Sequence, residues 1–88
     1  MTPKTYRTPD LYMAAYIRTV GSQQGVEMLD PERVGGRFFF LFRGEEGAIE
    51  AVKRGWFGGT GVVPAEAYAH AIKSLKSMIH SGGTGPRT

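Results

Sequence analysis

The chain has no cysteine, one tryptophan and two histidines in 88 residues. Without thiols there is no disulfide framework, no thiolate metal site and no cysteine nucleophile, which fits a reducing, cytoplasmic setting. Long apolar runs are missing too. None approaches the ~18–20 residues of a membrane span, and the polar start Met1-Thr2-Pro3-Lys4 lacks the apolar stretch of a signal peptide. The expectation is a soluble protein with no membrane partner. An excess of one charge is also wanting: eleven Lys and Arg stand against eight Asp and Glu, a net charge of +3. That balance permits a polyanion partner without requiring one.

Aromatic residues, by contrast, are concentrated. Arg37–Arg43 reads Arg-Phe-Phe-Phe-Leu-Phe-Arg and holds four of the five phenylalanines. A short aromatic run flanked by glycine favours a strand. Alternation puts Phe38, Phe40 and Phe42 on one face and Phe39 and Leu41 on the other. Both faces need cover, and a chain this short has little with which to cover the second.

Around this strand the pattern predicts an α+β domain over 1–80, with residues 81–88 a disordered tail. Lys4–Arg7 reads as a short strand. A first helix is expected to start with Thr8 as N-cap and Pro9 as its first residue, and to end at Gly21 in a left-handed conformation. Val26–Leu29 reads as a strand joined to the Phe strand through a turn at Asp30-Pro31, so that the two form an antiparallel hairpin. Gly35-Gly36 then reads as a bulge or a flexible hairpin arm. A short helix follows over Glu46–Arg54, capped by Gly55. Val62-Val63 suits a last short strand or an extended lead-in to the final helix, Pro64 to His80. That helix carries the strongest pattern in the chain, with Ala65, Tyr68, Ala69, Ile72, Leu75 and Ile79 on one face. The expected architecture is a small antiparallel sheet of three to four strands with two main helices on one face and a short third helix.

The stretch Tyr6-Arg7-Thr8-Pro9-Asp10-Leu11-Tyr12-Met13-Ala14-Ala15-Tyr16, the Phe38–Phe42 strand and the Ile72-Lys73-Ser74-Leu75-Lys76 ending resemble a family of small bacterial and phage domains of unknown function. The likeness covers most of the chain before the tail. It implies a single fold and carries no chemistry with it.

Catalytic and metal-binding patterns are sparse. His70 and His80 are ten residues apart on one predicted helix, roughly 15 Å along its axis, too far to share a metal. Glu45 and Glu46 are adjacent and point apart. Ser74, His70 and Asp10 supply the residue types of a triad without its spacing. Gly58-Gly59-Thr60-Gly61 lacks the Lys-Ser/Thr of a phosphate-binding loop and reads as a flexible turn. No enzyme activity and no cofactor are expected.

Gly36-Arg37-Phe38-Phe39-Phe40-Leu41-Phe42 resembles the aromatic strand of RNA-recognition motifs, with Phe39 where that pattern has a small residue. The leading expectation is therefore a single-stranded nucleic-acid platform, with Lys4, Arg7, Arg37, Phe39, Arg43 and Trp56 as contacts. The alternative is a homodimeric protein-interaction or assembly module whose Phe39 and Leu41 face meets a partner.

Overall fold

The computed structural model describes residues 2–80; the predicted tail lies outside the described residues. The fold is α+β. Four antiparallel strands, β1 (Pro3–Thr8), β2 (Glu27–Met28), β3 (Glu32–Val34) and β4 (Arg37–Glu45), combine with helices α1 (Leu11–Gly21), α2 (Glu46–Phe57) and α3 (Ala65–His80).

The Phe strand is central. β1 runs along one side of β4, from Pro3 opposite Glu45 to Thr8 opposite Phe40. β2 and β3 lie end to end along the other side. Met28 faces Phe42 and Glu32 faces Phe39, so four steps on this edge match three on β4. The extra residue lies around Asp30-Pro31, where proline has no N–H to offer a ladder. The expected hairpin turn is therefore a bulge between two short strands. The turn itself is Gly35-Gly36, whose φ values of 56° and 83° fit the two-residue loop that joins Val34 to Arg37.

Helix α1 begins later than its sequence signature indicated. Asp10, not Thr8, is the N-cap, and one carboxylate oxygen accepts from the N–H groups of Tyr12 and Met13 at 2.9 and 3.1 Å. Thr8 closes β1 instead, its hydroxyl accepting from the Asp10 N–H. At the other end Gly21 is helical, and a 3-10 turn over Ser22–Gln24 carries the chain to Gly25, which takes the left-handed conformation at φ 80°. Gly21 serves close approach: a Cβ there would sit 3.0 Å from that of Val26.

Five consecutive α1 residues, Met13 to Ile17, are buried. A helix with one covered face cannot bury five in a row. α1 lies between the sheet and α3, with α2 beside it. Phe40 and Phe42 are fully enclosed beneath this layer. α3 joins the core chiefly through α1, and its inward stripe is Tyr68, Ala71, Ile72, Leu75, Met78 and Ile79. Ala65 and Ala69 are exposed, so the stripe is rotated from the expected one. α2 does not stop at Gly55 but continues to Phe57. Residues 60–64 form no strand and lead directly into α3.

Candidate functional site: the open sheet face

Side chains directly opposite in an antiparallel pair share a face. The registers therefore sort the sheet into a helix-covered side with Lys4, Tyr6, Met28, Phe38, Phe40 and Phe42, and an open side. On the open side Phe39 and Leu41 form a half-buried centre, with Val34 beside the hairpin turn. Around them stand Arg7, Arg37 and Arg43 together with Glu27, Glu32 and Glu45. The two charge signs balance on this face.

Of the six residues expected to act together, four share this face, Arg7, Arg37, Phe39 and Arg43, and of these Arg7 and Phe39 are in contact. Lys4 lies on the covered side, where its ammonium meets the Glu50 carboxylate of α2 at 2.6 Å. That hydrogen bond raises the Lys4 pKa and lowers that of Glu50. Trp56 is also remote, on α2, its ring tilted against that of Tyr16 with centroids 5.5 Å apart. Strand alternation already separated Lys4 from Arg7. Trp56 could be placed only once α2 was known to run past Gly55.

The ring surplus inferred from the Phe run is mostly absorbed. Phe40 and Phe42 are buried, and Phe38 meets Phe40 edge-on at 5.2 Å. Only Phe39 turns to the open side, and the Arg7 guanidinium lies over it, 4.7 Å from its centroid. Arg7 in turn donates to Glu32 at 2.8 Å. This three-residue lattice spans β1, β4 and β3, and it occupies a ring face on which a base could stack. Glu27 and Glu32 went unmarked in the sequence, and Glu45 was read only beside Glu46, because their importance on this face lies in register, not spacing.

The glycine loop after α2 turns its donors inward. The N–H groups of Gly58, Gly59 and Gly61 bond to the carbonyls of Arg54, Trp56 and Gly55. They finish the helix instead of cradling an anion. A cleft of about 500 Å³ lies beside this loop, lined by Tyr16, Thr19, Gln23, Val52, Val62 and Pro64 among others. Phe57 and Val62, 70% and 86% exposed, flank the loop. Among the described residues no group of three or more His, Asp or Glu could hold a metal, and no helix is long and apolar enough to cross a membrane. Comparison with protein-family models, with curated proteins and with solved structures yields no match.

Proposed function

We propose that this chain is a non-enzymatic protein-interaction module whose open sheet face, centred on Phe39 and Leu41, docks against another protein surface. The observation that carries this reading is the charge pattern around an apolar centre. Protein interfaces favour an apolar middle with a polar rim, and mixed signs on the rim select a complementary partner. A polyanion would instead meet three carboxylates on the same face. The test is affinity capture with the wild-type chain and with Leu41→Glu, which leaves the buried Phe side untouched. Partners held by the wild type and released by the variant support the reading; identical sets from both overturn it.

A second reading, single-stranded nucleic-acid binding, draws on Arg37 and Arg43, which stay exposed near opposite ends of β4. Anisotropy titrations of single-stranded and duplex oligonucleotides at two salt concentrations separate the two. Salt-sensitive binding that Arg37→Ala weakens favours nucleic acid.

A further inference from the structure

The backbone of β1 has one side bonded and one side free. The Thr2 carbonyl accepts from the Glu46 N–H, and antiparallel pairing alternates bonded and non-bonded residues. With Lys4 opposite Gly44 and Tyr6 opposite Phe42, the even residues of β1 bond to β4. The odd ones point outward. On the far side of β4, the Leu29 N–H bonds to the Leu41 carbonyl, the alternation that this register requires. The outer edge of β1 therefore presents the N–H groups of Thr5 and Arg7 and the carbonyls of Pro3, Thr5 and Arg7.

The two edges of the sheet differ. One consists of β2 and β3, two and three residues long, interrupted at Asp30-Pro31. Short strands, a bulge and proline are the devices that keep an edge from pairing. β1 is six residues long and unbroken. Its prolines, Pro3 at its start and Pro9 just beyond its end, only bound it.

We propose that the β1 edge is a pairing site for a second copy of this chain, β1 against β1 in antiparallel orientation about a two-fold axis through Tyr6. This register sets Thr5 opposite the partner's Arg7 and uses every outward N–H of both strands in four hydrogen bonds. Both prolines stay outside the ladder. Tyr6 faces its own copy, an aromatic pair across the strands, with the Lys53 ammonium of the same protomer over each ring 4.6 Å from its centroid. Lys4 faces the partner's Thr8, so no basic residue stands directly against another. Each basic side chain of β1 is also paired within its own protomer, Lys4 with Glu50, which Lys53 shares, and Arg7 with Glu32. Such pairing lengthens one sheet across both copies and sets the two open faces side by side. The inference stands on the backbone pattern and is independent of what the open face binds.

The experiment is sedimentation equilibrium of the full chain over a concentration series, with Thr5→Pro and Leu41→Arg as variants. Thr5→Pro removes an outward N–H without touching the β4 ladder, because only even β1 residues bond there. The wild type should show a concentration-dependent mass approaching twice 9.6 kDa. Thr5→Pro should remain at the monomer mass with an unchanged circular dichroism spectrum, while Leu41→Arg still dimerises. A wild type that stays monomeric, or a dimer lost in Leu41→Arg and kept in Thr5→Pro, overturns the proposal. Should Thr5→Pro not fold, amide exchange of the wild type decides: the Thr5 and Arg7 N–H groups should gain protection with concentration, and equal exchange at all concentrations overturns it. Neither result bears on the Leu41→Glu capture.

Discussion

Arg7 of the first strand covers the ring of Phe39 on the central strand, with its guanidinium carbon 4.7 Å from the ring centroid. Contact of this kind at an exposed site contributes about 0.5–1 kcal/mol. The accompanying Arg7–Glu32 pair is solvent-exposed and adds about as little. Arg7→Ala should lower stability by about 1 kcal/mol in urea unfolding while uncovering Phe39. A loss above about 3 kcal/mol would mean that Arg7 carries structure beyond this lattice.

The other face behaves differently. Phe40 is fully enclosed, and Phe40→Ala should cost about 3–5 kcal/mol, the range for emptying a packed aromatic site. Phe57, mostly exposed, should tolerate alanine within about 0.5 kcal/mol. Denaturant midpoints at equal slope check both.

Gly55 sits inside α2 although alanine is the better helix former by about 1 kcal/mol. Its reason is Tyr16, whose hydroxyl oxygen would lie 2.5 Å from a Cβ at position 55. Gly55→Ala should therefore destabilise the protein. Adding Tyr16→Phe removes the offending oxygen and should recover most of that loss, a coupling that a double-mutant cycle by thermal melts will measure.

The Gly35-Gly36 turn predicts an asymmetric response. Asn is well accepted in the left-handed region, so Gly35→Asn should leave stability within about 0.5 kcal/mol of wild type or raise it. Gly36→Val forces a β-branched residue to the φ of 83° and should cost more than about 1 kcal/mol. Melting temperatures of the two variants decide the matter.

Hydrogen bonding to Lys4 holds the Glu50 carboxyl below the ordinary carboxylate range. A lowered folded-state value stabilises the fold above the unfolded-state pKa, and that contribution disappears as pH falls through the folded value. Glu50→Gln should therefore flatten the decline in melting temperature between about pH 5 and about pH 3. The raised Lys4 value acts at the other extreme: its contribution is present below the ordinary lysine pKa and is lost as pH rises through the folded one. A variant with the same acid limb as wild type would show that the pair is not coupled to folding.

The chain's composition announced the α+β class and the central strand because those depend on side-chain type and alternation, which are local. What it hid depends on the rest of the molecule. Thr8-Pro9-Asp10 offers two capping residues, and Asp10 takes the role because Thr8 is held in a strand paired with β4. Gly21 and Gly25 both end helices well. The left-handed position falls to Gly25 because Val26 lies against Gly21. Asp30-Pro31 and Gly35-Gly36 are both competent turns, and only pairing with β4 decides between them. At the open face, alternation separated Phe39 from the other rings correctly. That an arginine and a glutamate from two other strands would close over it is a matter of register.

β1 and β4 are joined across about half the described chain, Pro3 to Glu45 and Thr8 to Phe40. A ladder between such distant segments closes a large loop before any bond rewards it. On a ribosome β1 is made before β4, and its backbone cannot enter this ladder until Arg37–Glu45 has been synthesised and has left the exit tunnel. A translational pause before β4 is exposed should therefore lengthen the time during which the unpaired β1 of a nascent chain is open to proteases.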